Sequence, residues 1–323
     1  MGGAVGLEGA VPAVYFLTDY GTADEFVGVV HAVLHRLVPR VPVIDLSHQV
    51  PPFDVAAGAS MLLRCGPHLG AGVVLAVVDP GVGTDRRAVA IRPGGGPVDG
   101  DPIGGGPHRE APTWLVGPDN GLLAPLAASY GDIESVVVID RNSPALRVRG
   151  RSVGSANSGP TFDGRDVFAP AAAHILLGGD PVALGSFADP GSLISAGIDR
   201  TWAPERGTAT VVKLDGERPW ILTSVESVDR FGNVQTAAGP SIAEELGIRL
   251  GDACQVAVGP QMDRKFEARR MTTFDDLEGG ELGVLVDSSG HLALVLRQGS
   301  AAGLLGPLQP GDLVRVMADG QTD

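Results

Sequence analysis

Three carboxylates stand where apolar runs give out. Asp19 ends "AVYFLTD" ahead of "YGTADEF", Asp45 lies in "VIDLSHQVPPFD", and Asp79 closes "GVVLAVVD" before the turn "PGVGTDRR". A carboxylate at a strand end can take a proton from water, accept from two ribose hydroxyls at once, or cap the helix that follows. For Asp19 the spacing leaves the diol and the cap equally open. Asp79 has a charge partner on the far side of its turn, because Arg86 follows seven residues later. That pair reads either as a salt bridge tying a tight hairpin or as a site. A fourth group, Asp163, Arg165 and Asp166 in "GPTFDGRDVFAP", opens a helix.

Other chemistries find less support. The seven histidines (His31, His35, His48, His68, His108, His174 and His291) contain one pair at helical ligand spacing, His31/His35, and no third ligand accompanies it. The chain has no HExxH, CxxC, GxxxxGK or GxSxG pattern, and "GPDNG" is first a turn signature. The expectation is therefore no metal and no cofactor. Further along, "SVDRFGNVQT" (227–236) interrupts a strand with Asp229, Phe231 and Asn233, which a simple β-turn also explains. "DSSGHLALVLRQGSAAGLLG" (287–306) has a turn at Ser288–Gly290 and ends in small residues, where a backbone can approach a flat ligand closely.

The elements that position these residues fall into two patterns. In the first, strands "AVYFLTD", "VPVIDLS" and "GVVLAVVD" alternate with helices "ADEFVGVVHAVLHRLV" and "DVAAGASMLLRCG"; strands "AVAIR", "TWLVG" and "ESVVVID" and a helix "VFAPAAAHILLG" follow. Phe26, Val29, Val30, Val33, Leu34 and Leu37 share one face of the first helix. Such alternation predicts an α/β domain with a largely parallel sheet, whose ligands collect at the carboxyl ends of its strands. In the second, short strands from "TATVVKLDG" to "DLVRVMA" are separated by Gly, Asp and Ser turns, with one helix at "SIAEELGI". This predicts a small C-terminal β-barrel domain. The expected divisions are 1–190 for the α/β domain, 191–206 for a linker and 207–323 for the barrel. Residues 92–112 read as a Gly/Pro-rich loop and 141–160 as an irregular insertion.

The chain has 323 residues, 44% of them hydrophobic, enough for a large core, and a net charge of −14. That charge argues against nucleic-acid and anionic-membrane partners, which want a basic face. The N-terminus lacks the basic and apolar regions of a signal peptide, and "AGVVLAVV" is too short to cross a bilayer. Cys65 and Cys254 sit among apolar residues and read as buried thiols in a reducing, cytoplasmic setting.

Five motifs in order, "LTDYG", "DLSHQVPPFDVAAGA", "VVDPGVGTDRRAVA", "GPDNGLL" and "TFDGRDVFAPAAA", followed by "VDRFGNVQT" and "SSGHLALVLRQGSAA", resemble the S-adenosyl-L-methionine (SAM) hydroxide adenosyltransferases. These SAM hydrolases are relatives of the fluorinases and chlorinases. The resemblance spans nearly the whole chain. It implies an enzyme in which water displaces methionine from C5′ of SAM, giving adenosine and L-methionine, without metal, in a homotrimer with sites at subunit interfaces. It also implies roles for individual residues. Asp19 holds the ribose hydroxyls, with Asp24 in the same substrate turn, and Phe53 lines the site where halogenating relatives carry Trp. Asp229, Phe231 and Asn233 hold the methionine and ribose end across a subunit interface. Ser288 contacts the methionine carboxylate, and Arg297 and Gln298 line the adenine. The family usually has Asn where Arg297 stands. Asp79 and Arg86 match two members of an Asp–Arg–His set that positions and polarises the attacking water. The third is usually His, and here it is Asp163, which would place two carboxylates around one arginine. Halogenating relatives carry Tyr at the Asp79 position, so a carboxylate there selects water over halide by charge. Two alternatives remain: a SAM-dependent halogenase, and a non-catalytic sensor of SAM or adenosine.

Overall fold

The computed structural model describes residues 11–94, 114–147, 161–194, 210–212 and 220–318. The expected loop 92–112 beyond residue 94, the insertion 141–160 beyond residue 147 and the linker 191–206 beyond residue 194 lie outside the described residues. The chain divides into two compact units, Met1–Asp199 and Arg200–Asp323. Among the described residues no helix is long and apolar enough to cross a membrane.

The first unit runs β1 (Ala13–Thr18), α1 (Phe26–Leu37), β2 (Val43–Ser47), α2 (Val55–Cys65), β3 (Gly72–Val77), β4 (Ala88–Pro93), β5 (Trp114–Pro118), α3 (Ala124–Ser129), β6 (Ile133–Ile139), α4 (Ala169–Leu176) and β7 (Gly185–Ala188). Its sheet has the order β2-β1-β3-β5-β4-β6-β7. The first four strands in that order are parallel. The sheet then turns antiparallel through β4, β6 and β7. β1 and β3 are buried along their whole length, as parallel strands covered on both faces must be. Their side chains alternate between two cores. Val14, Phe16, Val73, Leu75 and Val77 pack with Val30, Val33 and Leu34 of α1 and with α4. Tyr15, Leu17, Val74 and Ala76 pack with Leu62 of α2 and Leu126 of α3. Each fully buried large side chain contributes about 1.5–3 kcal/mol.

The parallel half places Asp19 and Asp79 just past the carboxyl ends of β1 and β3, whereas Asp45 lies in the middle of β2, level with Phe16 of β1. Phe26 departs from the expected buried stripe of α1 and is exposed. Its ring meets Phe162 edge-on at 5.3 Å, and Tyr20 meets both rings. Gly164 lies against this trio, where an added Cβ would come within 2.4 Å of the Tyr20 hydroxyl oxygen. The chain enters α4 through a π-helical turn, Gly164–Phe168, at the junction predicted as plain helix.

The second unit comprises β8 (Thr210–Val212), β9 (Trp220–Val228), β10 (Val234–Thr236), α5 (Ser241–Glu245), β11 (Ala253–Val258), β12 (Arg264–Arg270), β13 (Leu282–Val286), β14 (Leu292–Leu296), α6 (Ala301–Leu305) and β15 (Leu313–Ala318). Seven strands, β10-β14-β13-β12-β11-β15-β9, close on themselves because β9 also pairs with β10, and β8 adds to β9. Ile221, Val256, Val284, Leu294 and Val314 fill the interior. Closure removes the exposed edges that short strands otherwise leave. Cys65 and Cys254 are not joined in a disulfide; Cys254 is buried in this barrel, whereas Cys65 at the end of α2 is only partly covered.

Candidate active site

The ten-residue connection between β3 and β4 folds Arg86 back onto Asp79. Val82 N–H donates to the Asp79 carbonyl, the Thr84 hydroxyl donates to the Gly81 carbonyl at 2.7 Å, and Arg86 N–H donates to the Thr84 hydroxyl. Arg86 then grips Asp79 bidentately, Nε to Oδ1 at 3.0 Å and Nη2 to Oδ2. Such fork-to-carboxylate pairs fix orientation as well as charge. The same Nη2 donates to Asp163 Oδ2 at 2.7 Å. The guanidinium lies over the Phe168 ring, 5.3 Å from its centre. The side chains of Asp79 and Arg86 are each 6% exposed and that of Asp163 is 5% exposed. Asp163 thus joins Asp79 and Arg86 in space, and Arg86 bridges both carboxylates.

The expectation of one arginine between two carboxylates needs correction. Arg141 Nη2 stands 2.9 Å from Asp163 Oδ2, so the cluster holds two cations and two anions. Arg165 and Asp166, grouped with Asp163 by the sequence, instead pair with each other at 2.7–2.8 Å. Arg87, next to Arg86, is spent on Asp119 of the "GPDNG" turn and on Ser192.

Burial pushes the Asp79 carboxyl above its ordinary range; Arg86 pulls it down by charge and hydrogen bonding, Asp163 adds to the rise, and the Gly81 N–H opposes it. Asp79 is therefore a stronger proton acceptor than a solvated aspartate. Tyr20 faces the same cluster. Burial first, then the charges of Asp19, Asp79 and Asp163, push its hydroxyl up and keep it a donor. The arrangement offers a base in Asp79, a cation fixed on it in Arg86 and a hydroxyl donor in Tyr20 around the end of β3, with Asp163 and Arg141 alongside.

Asp19, at the end of β1, accepts the Phe53 N–H on Oδ2 at 2.9 Å. Phe53 has φ of +67°, unusual for a side chain of its size, and the residue is 71% exposed. Asp19 braces this strained residue rather than capping α1, whose N-cap is Glu25. Asp24 is exposed on the surface of the same turn. Behind it, the Thr18 hydroxyl is hydrogen-bonded to His48 Nδ1 and accepts Tyr20 N–H. His31 pairs with Asp45, not with His35, at 2.8 Å, and His48 Nε2 stands 3.1 Å from the same carboxylate oxygen. His31, Asp45 and His48 are, among the described residues, the group whose atoms could hold a metal ion.

In the second unit, the Asp229 carboxylate is engaged in its own turn. Oδ1 accepts the N–H groups of Phe231 and Asn233, and Oδ2 accepts Asn233 Nδ2 at 2.8 Å. This turn presents Phe231 outward, 70% exposed. Gly232 has φ of +83°, and an added Cβ would meet Ser300 Oγ at 2.0 Å. Phe231, Asn233, Phe274, Asp275, Arg297 and Gln298 line a cleft of about 590 Å³. Arg297 is tied across it to Asp275 at 2.7 Å and to the Leu277 carbonyl. Ser288 is exposed on the β13–β14 turn and does not line the cleft.

A family model of the SAM hydroxide adenosyltransferase N-terminal domain matches residues 14–98 and 108–185, and one of the C-terminal domain matches 223–315. The chain belongs to the SAM hydroxide adenosyltransferase family. A Salinispora tropica protein named (R)-S-adenosyl-L-methionine hydrolase is 41% identical over 95% of this chain and 98% of its own length. A fluorinase from Actinopolyspora mzabensis is 27% identical over 90% of this chain and 92% of its own. A solved structure of a conserved Thermotoga maritima protein superposes with a TM-score of 0.75 at 30% identity, covering 94% of this chain and 99% of that one. In this member of the family Asp79, Arg86 and Asp163 form a buried cluster of charged groups just past the end of β3.

Proposed function

We propose that this protein hydrolyses S-adenosyl-L-methionine to adenosine and L-methionine. The observation that carries the reading is the buried carboxylate of Asp79, held bidentately by Arg86 and made more basic by burial. In this reading Asp79 orients a water and takes its proton as the water oxygen bonds to C5′. The C5′–S bond breaks, its electron pair returns to sulfur, and the positively charged sulfonium leaves as the neutral thioether of methionine. Arg86 fixes the base and remains charged throughout. Tyr20 donates without competing for the proton.

Asp19 accepts from the ribose hydroxyls in this reading, with Asp24 in the same turn and Phe53 against the substrate. Asp229 holds the turn that offers Phe231 and Asn233, while Ser288, Arg297 and Gln298 contribute from the barrel. Each of the two units carries an outward aromatic among these residues, Phe53 and Phe231, which supports sites completed between copies of the chain in a homotrimer. The chemistry needs no metal or cofactor. That Cys65 and Cys254 are not joined in a disulfide supports a cytoplasmic setting.

The test is incubation with SAM, with and without chloride or fluoride, followed by chromatographic separation of adenosine from 5′-halo-adenosine. Adenosine alone is expected in every arm, because the Asp79 charge repels halide. Halo-adenosine as the main product would instead make the protein a halogenase, and binding of SAM without turnover would make it a sensor.

A further inference from the structure

The buried cluster would be electrically unbalanced without a residue from the insertion that follows β6. Arg86 alone faces two carboxylates, those of Asp79 and Asp163, both almost wholly removed from water. Burying a charge without a partner costs several kcal/mol, and two carboxylates sharing one cation share a proton instead. Arg141 supplies the second cation, with Nη2 at 2.9 Å from the same Asp163 oxygen that Arg86 holds. It also donates to the Arg86 carbonyl at 3.4 Å. Its backbone is itself fixed: Asn142 N–H donates to Asp140 Oδ1, Ser143 N–H donates to the Asp140 carbonyl, and the Ser143 hydroxyl donates to the Ala183 carbonyl. The Arg141 side chain is 30% exposed, so it enters the cluster from its rim.

We propose that Arg141 is a positioning residue for the reaction: its guanidinium holds the buried Asp163 carboxylate and, through it, keeps Arg86 paired with Asp79. The charged and titratable groups facing Asp79 are then Tyr20 from the end of β1, Arg86 from its own turn, and Asp163 with Arg141 behind it. Arg141 touches neither the water nor Asp79. It acts through Asp163, by cancelling the like charge that would otherwise drive a proton onto the base. This inference rests on the hydrolytic reading, and its test contains one readout that does not need turnover.

The experiment compares the parent with Arg141→Gln, Arg141→Lys, Asp163→Asn and the double variant Arg141→Gln/Asp163→Asn. For Arg141→Gln, kcat is expected to fall by about 10–100-fold with KM for SAM little changed, the loss typical of a misplaced catalytic group. The acid limb of its rate profile is expected to move up by about one pH unit. Arg141→Lys keeps the cation and should restore most of the rate and return the limb. The double variant should lose no more than Asp163→Asn alone, because Arg141 has nothing to hold once Asp163 is neutral. Carbon-13 NMR of the aspartate carboxyls, independent of activity, should report an upward move of the Asp79 titration in Arg141→Gln. Parent-like kcat and acid limb in Arg141→Gln would overturn the proposal, as would a loss of equal size with or without the Asp163 charge. If Arg141→Gln does not fold, the lysine variant decides: a limb and carboxyl titration unlike the parent's and like those of a cation-free cluster would overturn it. A parent that releases no adenosine refutes hydrolysis, whereas an unmoved Asp79 titration refutes the role of Arg141.

Discussion

Replacing Asp79 with asparagine separates chemistry from packing at one atom. The amide matches the carboxylate in shape, keeps one oxygen for the Arg86 fork and removes the basic lone pairs. A general base typically contributes ~10²–10⁴-fold, or about 2.7–5.5 kcal/mol at 1.36 kcal/mol per decade. The upper part of that range is expected, because both Asp79 oxygens are held by Arg86 and the base is fully oriented. The stability cost should be much smaller than the 3–5 kcal/mol usual for a broken buried pair. Arg86 retains Asp163 at 2.7 Å and the Phe168 ring, so no orphan charge is left; about 1–3 kcal/mol is expected. Initial rates of adenosine release against SAM concentration, from pH 5 to 9, would give kcat and KM separately.

The pH dependence has a defined sign. The folded-state Asp79 carboxyl lies above its ordinary value of 3.8, so the folded protein binds the proton more tightly than the unfolded chain. Its contribution is complete below 3.8 and is lost as pH rises through the raised value. In that window the parent should lose stability relative to Asp79→Asn, while its rate rises as the base ionises. A variant with parent kcat and a KM raised ten-fold would refute the reasoning and make Asp79 a binding residue. So would residual Asp79→Asn activity with the same acid limb, because another group would then be titrating.

Three further outcomes follow from the geometry. Asp19→Ala removes the acceptor that braces Phe53 in its left-handed conformation, and KM for SAM should rise about 10–100-fold with a smaller change in kcat, read by initial rates and by calorimetry with SAM. Gly232→Ala should destabilise the second unit by roughly 1–3 kcal/mol, since its Cβ would collide with Ser300 at a positive φ; thermal unfolding checks this, and Ser300→Ala in the same chain should recover part of the loss. Chelation by EDTA should leave the rate unchanged. Loss restored by a divalent ion would contradict the metal-free reading and direct attention to His31, Asp45 and His48.

Legibility from the sequence followed the range over which partners meet. Asp79 and Arg86 share one turn, so their spacing alone announced a relationship. β1 and β3 were readable as unbroken apolar runs, and the barrel as short strands between turn residues. β10 was missed because "VQT" is too short to show alternation, and α6 because "AAGLL" reads as a small-residue loop before packing is known. The six-residue α3 and four-residue β7 failed for the same reason. The Arg141–Asp163 contact spans 22 positions of chain with no periodic pattern to link them. His31 declared a helical partner, His35, but its real partner, Asp45, came from the neighbouring strand. The sequence could have flagged Arg141 by charge balance: a second carboxylate in a buried motif requires a second cation somewhere.

The turn that presents Phe231 and Asn233 is also the seam of the barrel. It joins β9 to β10, and their pairing is what turns an open seven-stranded sheet into a closed one. Any molecule that grips this turn therefore clamps the closure itself. Ligand affinity and the resistance of the barrel to opening become two readings of one free energy. Amide protons of Ser227 and Gln235, which face each other across the seam, should then exchange more slowly in proportion to occupancy, so a substrate arriving at the surface would be registered in the interior of the fold.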